Sequence, residues 1–143
     1  MGAGVLARKL GIQPDSRVAV VGAPKGYPRA LGQLPDGVAV RTHARGASDL
    51  LLFFVTRRSE LSRRYPSFVR AVDRDGVLWI AWPKKTSGVA TDLAFAEVQA
   101  IGLECGMVDT KVSVIDDIWT AVRFESPARA RLRSSGNVRS ITA

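Results

Sequence analysis

Short apolar runs alternate with helical patterns along most of the chain. Runs rich in β-branched and aromatic residues are typical of parallel strands, and they occur at 17–21, 38–42, 49–55 and 77–82. The third run, DLLLFFV, has no polar alternation, which indicates a central strand covered on both faces.

Helical spacing appears before the first strand and between the third and fourth. Residues 3–10 predict a short helix. Ser59 can cap a second helix, whose apolar stripe extends from Leu61 to Val72. Pro66 lacks a backbone donor, so we expect a kink or a restart of the helix there.

The last part of the pattern combines a third helix with an antiparallel hairpin. Thr91-Asp92 opens an apolar helical segment that extends to Cys105 and is expected to pack on the sheet. Met107–Ile115 and Trp119–Phe124 then alternate between apolar and polar residues, with Asp116-Asp117 as the turn between them. These features predict a hairpin at one edge of the sheet.

Strands separated by helical segments predict an α/β fold. We expect a Rossmann-like three-layer sandwich, with a mostly parallel sheet and a C-terminal antiparallel hairpin. Residues 1–125 are expected to form a single domain. Residues 126–143 are rich in arginine, serine and alanine without periodicity, so they predict a basic, disordered tail.

The composition indicates a soluble protein of the cytoplasm. The chain has 143 residues, of which 46% are hydrophobic and 24% are charged. A single cysteine excludes an internal disulfide framework and suits a reducing compartment. Neither a signal peptide nor an apolar run of roughly 20 residues is present, so we expect no membrane segment.

The net charge of +8 comes partly from two groups of arginines. One group follows Glu125 in the predicted tail, and the other accompanies the second helix between Arg57 and Arg74. Such a stripe can face phosphates. The alternative is a solvated outer face of an amphipathic helix.

Candidate chemistry centres on GVLWIAWPKKTSGVATDL, residues 76–93, which joins a strand, a cationic loop and a predicted helix start. In α/β proteins this arrangement forms anion sites at the carboxyl ends of strands. The loop after the first strand would face the same crevice. The predicted ligand-binding residues are Gly22, Lys25, Lys84, Lys85, Ser87 and Thr91. Alternatively, the lysines are exposed loop residues and Thr91 is a plain helix cap.

Other reactive side chains are few. His43 is the only histidine, which excludes metal sites built on two or more histidines, and no metal site is expected. Cys105 is expected to be a small core residue. Asp116 and Asp117 could act as paired carboxylates or hold a divalent ion, but the alternative is a solvent-exposed turn.

The opening LGIQPDSRVAVVG resembles the "LGL-x-PG-x-RVL-x-LG" entry of class I, S-adenosylmethionine-dependent methyltransferases. The order DLLLFFV, helix, DGVLWIAWP, helix and hairpin is similar to the second half of that fold. The resemblance covers roughly residues 10–125. It implies a sheet with one strand fewer than a methyltransferase sheet, because only six residues, 43–48, separate the second strand from DLLLFFV.

The whole chain also resembles an uncharacterised bacterial family, a domain of unknown function. The shared features are a KLGI start, a GAP first loop, the signature WPKK…TDL, and Asp116-Asp117 followed by Trp119. This resemblance implies a cytoplasmic Rossmann-like protein and brings no assigned activity.

Several positions depart from the methyltransferase pattern. The first loop reads GAPKGY, with Pro24 and Lys25 where small residues are expected. The second strand ends in Arg41-Thr42-His43, where the resemblance implies a carboxylate for the ribose hydroxyls. These departures disfavour S-adenosylmethionine as a cofactor. The bare return after the second strand predicts an uncovered apolar sheet face, which would invite a second copy or a protein partner.

Three functions follow as expectations. The first is a Rossmann-like protein that binds a small anionic ligand or a protein partner without demonstrable catalysis. The alternative is a minimal or degenerate S-adenosylmethionine-dependent methyltransferase. The second alternative is association with nucleic acid through the basic helix face and the tail. The residues do not decide whether any bond is made or broken.

Overall fold

The sheet and its helices were located in a computed structural model, which describes residues 4–27 and 29–132. The strands are β1 (Arg17–Val21), β2 (Ala39–Arg41), β3 (Ser48–Phe54), β4 (Val72–Pro83), β5 (Val108–Val114) and β6 (Trp119–Glu125). The helices are α1 (Val5–Leu10), α2 (Arg58–Ala71) and α3 (Phe95–Glu104). Single turns of 3-10 helix lie at Arg29–Leu31 and Lys85–Ser87.

The six strands form one sheet in the order β2-β1-β3-β4-β6-β5. The pairs among β2, β1, β3 and β4 are parallel. The last strand, β6, lies antiparallel between β4 and β5. This arrangement confirms the predicted α/β fold, with its mostly parallel sheet and C-terminal hairpin.

The sheet is covered on both faces, but unequally. On one face, α2 and α3 bury Tyr65, Phe68 and Ile101 in a cluster with Leu51 and Phe53. On the other face, the cover comes from the six-residue α1 and the turn Arg29–Leu31. The three-layer prediction is therefore confirmed, with one thick and one thin helical layer.

Trp79 ties the thin layer to the centre of the sheet. Its side chain is fully buried, and its indole N–H donates to the carbonyl of Leu10, at 3.0 Å. Leu10 is the last residue of α1, so the bond satisfies one of the carbonyls that a helix end leaves without a helical partner.

β4 begins earlier than the hydrophobic pattern predicts. The apolar run predicts a strand from Val77, but the strand starts at Val72, directly after α2. Val72 pairs with Ser48, and a bulge separates this pair from the regular ladder that begins at Leu50. A side chain at Gly76 would meet the carbonyl oxygen of Asp49 at 2.7 Å, so glycine allows the two strands to approach.

α2 runs through Pro66 from Arg58 to Ala71, so the helix does not restart at the proline. Pro66 lies on the exposed side of the helix, where its ring does not disturb the core. The N-terminal cap position is Arg57 rather than the expected Ser59.

The sheet face near β2, where an uncovered apolar surface is expected, is covered over β1 and β3, whereas Ala39 on β2 itself is exposed. Ala19 and Phe53, which lie on that face, are 0% exposed. The guanidinium group of Arg41 donates to the carbonyls of Arg45 and Ala47, both at 2.7 Å. An arginine side chain and the 42–47 segment therefore cover the area where a crossover helix is missing.

Charged groups join the strands at the amino end of the sheet. Arg17 on β1 contacts Asp49 on β3 and Asp73 on β4, each at 2.9 Å. Glu125, only 1% exposed, accepts from Thr110 and pairs with Arg129. Residues 127–132 are helical, whereas the rest of the predicted tail, 133–143, lies outside the described residues.

Candidate functional site at the carboxyl end of the sheet

The parallel strands β1, β3 and β4 end at the same edge of the sheet, where α/β proteins place their ligand sites. Gly22 follows β1 directly and has a φ of +68°. A Cβ at this position would lie 2.8 Å from the carbonyl oxygen of Phe54. Only glycine allows the loop to leave the strand in this conformation so close to β3.

Tyr27 lies over the end of β3, in the loop that follows β1. Its ring packs on Phe54 with a centroid distance of 4.9 Å, and Phe54 in turn contacts Trp119 edge to face at 5.0 Å. The Tyr27 hydroxyl donates to Asp116 Oδ2 at 2.9 Å. Partial burial raises the pKa of Tyr27, and the bond to the Asp116 carboxylate raises it further, so the hydroxyl stays protonated.

Asp116 holds both the hairpin turn and Tyr27. Its Oδ1 accepts from the backbone N–H groups of Ile118 and Trp119, both at 2.8 Å. Partial burial tends to raise the pKa of Asp116. The two backbone N–H groups, the Tyr27 hydroxyl and the positive charge of Lys84 outweigh that effect and lower it. The expected turn is present, and its carboxylate is ionised at neutral pH.

The predicted lysines separate at the end of β4. Lys84 is half-buried, its backbone N–H donates to the Ile118 carbonyl at 2.7 Å, and its charge acts on Asp116. Lys85 is exposed on the following 3-10 turn. Ser87 uses its hydroxyl within this turn, donating to the Lys84 carbonyl at 2.7 Å.

Thr91 does not start a helix, contrary to the expectation. Its hydroxyl donates to the carbonyl of Thr56 at 2.6 Å, and it accepts from the N–H of Leu93 at 3.1 Å. The third helix begins only at Phe95, with Ala94 at the cap position. Thr91 therefore fastens the loop after β4 to the end of β3.

Asp92 lies at the N-terminus of α2, a position that would otherwise favour a bound anion. Its Oδ1 accepts from the backbone N–H of Arg58, the first residue of α2, at 2.7 Å. A protein carboxylate already lies at the positive end of this helix dipole. The shallow pocket of about 310 Å³ between Thr56, Arg57 and Thr91 therefore already contains a negative charge, that of Asp92.

The structure brings Gly22, Tyr27, Lys84 and Asp116 to one edge of the sheet. The hydroxyl groups of Ser87 and Thr91 instead donate to backbone carbonyls. Lys25 is exposed in the loop after β1. Sequence patterns did not reveal the pairing of Tyr27 with Asp116, because 89 residues separate the two in the chain. The one available signal was an aromatic residue in a glycine-rich loop.

The remaining candidates stay apart. His43 Nδ1 accepts from the N–H of Arg45 at 3.3 Å, while Cys105 is half-buried, and burial raises its pKa. Within residues 4–27 and 29–132, no cluster of three or more His, Cys, Asp or Glu side chains could hold a metal ion. None of the helices in this part of the chain has the length and apolar character that crossing a bilayer requires.

The arginines of α2 do not form one phosphate-facing stripe. The guanidinium of Arg64 turns towards the sheet and lies 5.0 Å from the Phe53 ring and 5.1 Å from the Phe68 ring. Arg63 and Arg70, seven residues apart, are exposed on the outer side. The arginines expected to contribute from 133–143 lie outside the described residues.

No protein-family model and no curated protein matches the chain. Solved structures do match. A SAM-dependent methyltransferase from Aquifex aeolicus has a TM-score of 0.63 at 14% identity, covering 82% of this chain and 85% of its own. The fibrillarin pre-rRNA processing protein from Methanococcus jannaschii has a TM-score of 0.60 at 14% identity, covering 87% and 70%. Magnesium protoporphyrin IX methyltransferase from Synechocystis PCC 6803, with bound SAH, has a TM-score of 0.54 at 14% identity, covering 85% and 78%.

These similarities show that the chain has a methyltransferase-like fold. The resemblance in fold is thereby confirmed, while membership of the uncharacterised bacterial family stays a prediction. Among the functional expectations, the solved structures support the methyltransferase alternative better than the non-catalytic module. At 14% identity they establish the fold alone.

Proposed function

We propose that this chain is a degenerate S-adenosylmethionine-dependent methyltransferase, which keeps the sheet of that superfamily but binds a small ligand without transferring a methyl group. The observation that carries the proposal is the position of Tyr27. Its ring packs on Phe54 and its hydroxyl bonds to Asp116. We infer from these two contacts that Tyr27 occupies the crevice between β1 and β3.

The loop after β1 supports the same proposal. A phosphate or carboxylate group at this edge is usually held by the N-terminus of the helix that follows the first strand. Among its described residues, the segment contains only the 3-10 turn Arg29–Leu31, which offers no comparable row of free N–H groups. The residues present therefore do not fit the cofactor in its usual place.

The end of β2 gives a second, independent reason. The resemblance implies a carboxylate that accepts hydrogen bonds from the ribose hydroxyls, but Arg41 occupies the end of this strand. A guanidinium group donates hydrogen bonds and cannot accept them. Two of its N–H groups bond to the carbonyls of Arg45 and Ala47.

The charges at this edge favour a ligand with an anionic group. Lys84 is half-buried beside the Asp116 carboxylate, while Lys25 and Lys85 are exposed on the neighbouring loops. Ammonium groups in such positions attract carboxylates and phosphates. Gly22 leaves the backbone beside them accessible.

Calorimetric titration with S-adenosylhomocysteine tests the proposal. The wild-type protein should show no binding at about 1 mM ligand, because Tyr27 occupies the crevice. Tyr27→Ala should bind S-adenosylhomocysteine, because it removes this obstruction. Tyr27→Phe, which retains the ring, should show no binding, like the wild type. Binding to wild type at micromolar concentration, lost in Gly22→Val, would instead establish a minimal methyltransferase.

A further inference from the structure

A second pocket lies beside the filled crevice, between α1, the loop after β1 and the hairpin turn. Its volume is about 420 Å³, within the roughly 300–1,000 Å³ that is usual for small-molecule sites. Val5, Leu6, Leu31 and Ile115 contribute apolar walls. We call this space the α1 pocket.

Three polar groups line the α1 pocket, and they have opposite charges. Lys9 supplies an ammonium group, Asp116 a carboxylate, and Tyr27 a hydroxyl. The Lys9 ammonium donates to the Val114 carbonyl at 3.2 Å, which places it along β5. An ammonium has three donors, so two remain for a ligand.

The carboxylate lies at the hairpin turn, where β5 ends. Asp116 Oδ1 accepts from two backbone N–H groups, and Oδ2 accepts from Tyr27. A carboxylate oxygen can accept more than one hydrogen bond, so Oδ2 can accept another from a ligand. The hydrogen bonds that hold Asp116 also lower its pKa, so it carries its charge at neutral pH.

We propose that the α1 pocket binds a small zwitterion with an apolar body, such as an apolar amino acid. The ligand carboxylate pairs with Lys9, its ammonium pairs with Asp116, and its apolar part lies against Leu6, Leu31 and Ile115. A ligand with a single charge leaves one of the two protein charges without a partner, which lowers its affinity.

The inference deepens the proposed function and rests on it in one respect, because Tyr27 forms a wall of the pocket only while it covers the crevice. The two sites take different probes. S-adenosylhomocysteine reports on the crevice and free amino acids report on the α1 pocket, so the failure of one proposal can be told from the failure of the other.

The test is calorimetry with L-phenylalanine, L-leucine, 3-phenylpropionate and 2-phenylethylamine. The last two keep the ring of phenylalanine but lack the ammonium or the carboxylate. At least one amino acid should bind, and each singly charged analogue should bind about tenfold more weakly than phenylalanine. Absence of binding by both amino acids at about 10 mM would overturn the inference, as would equal binding of phenylpropionate and phenylalanine.

Variants assign the binding to the pocket. Lys9→Met keeps the unbranched stem without the charge and should weaken amino-acid binding by about tenfold, whereas Lys9→Arg should retain most of it. Arg8→Met, which removes an exposed cation from the same helix but outside the pocket lining, is the matched control. If Lys9→Met and Arg8→Met bind alike, the pocket does not hold the ligand. Thermal melting of each variant shows that it is folded.

Discussion

Residues 48–125 and residues 16–47 contribute to one sheet, but they cover it in different ways. In the first of these regions, β3 connects to β4 through the 14-residue α2, and β4 connects to β5 through the 10-residue α3. In the second, β1 connects to β2 through a segment in which the described residues form a single 3-10 turn and no other helix. The return from β2 to β3 contains no helix among its residues, 42–47.

The difference separates the requirements of folding from those of cofactor binding. Apolar contacts beneath α2 and α3 stabilise the sheet, and this stabilisation does not depend on where along the sheet the helices lie. A cofactor at the carboxyl edge needs more, because it requires a helix N-terminus and a carboxylate at the end of β2. The 16–47 region lacks both, and Arg41 and Tyr27 instead fill its face and its edge.

The largest loss of stability is expected from Gly102→Val in α3, which tests how residues 48–125 are packed. A Cβ at Gly102 would fall inside the Phe124 ring of β6, and the ring is fully buried and cannot move aside. We expect a loss of about 3 kcal/mol in the free energy of unfolding, measured by urea denaturation.

Ala100→Val is the matched control, because it introduces the same side chain on the exposed side of the same helix. Lower helix propensity alone should cost it about 0.5 kcal/mol. Gly102→Ala gives a milder version of the clash in case the valine variant does not fold. If both Gly102 variants are as stable as Ala100→Val, close packing of α3 on β6 does not stabilise residues 48–125.

Elements whose signals lie within a few neighbouring residues could be predicted from the sequence. The buried strand DLLLFFV and the alternating hairpin strands, Val108–Val114 and Trp119–Glu125, formed as expected. The unbroken apolar run of β3 reflects its burial directly. On β5 the alternation predicts a strand but not its buried face, because Val112 and Val114 are exposed while Ser113 is buried. The position of Gly22 also follows from its residue type, since a loop that passes close to β3 requires glycine.

Features decided by a distant partner could not be predicted. The hydroxyl of Thr91 bonds to Thr56, 35 residues earlier, rather than capping the next helix. The early start of β4 depends on pairing between Val72 and Ser48. The candidate site was predicted at the carboxyl edge of the sheet, and its location there stays a prediction. The contact between Tyr27 and Asp116 at this edge could not be predicted, because local patterns assign the turn aspartate to solvent.

A smaller effect is expected from Trp79→Phe, which tests how α1 is attached to the sheet. The change removes the indole donor to the Leu10 carbonyl and leaves that buried acceptor without its bond. Trp82→Phe, on the same strand, removes a tryptophan whose indole makes no hydrogen bond within the described residues. Trp79→Phe should lose about 1–2 kcal/mol more than Trp82→Phe in urea denaturation. Equal losses would mean that packing alone holds the thin layer.

The smallest effect is expected from Asp49→Asn, which weakens the ion pair between β1 and β3. The hydrogen bond from Arg17 lowers the pKa of Asp49 below its ordinary value of 3.8, with the positive charge adding to the shift. Because the folded pKa is the lower one, the pair stabilises the protein above the unfolded pKa and loses this effect as pH falls through the folded pKa. The side chain is 38% exposed, so the loss should be small, about 1–2 °C in Tm at pH 7.

The Tm difference between wild type and Asp49→Asn should therefore stay constant between about pH 7 and pH 5 and shrink as the pH falls below the ordinary pKa of 3.8. Asp117→Asn, at an exposed turn position, should leave the melting temperature unchanged over this range. A difference that does not shrink with falling pH would show that the asparagine disturbs the backbone contact to the Arg17 N–H, at 2.8 Å, rather than the charge pair. The two regions of the sheet would then be joined at their amino end by hydrogen bonding that does not depend on ionisation.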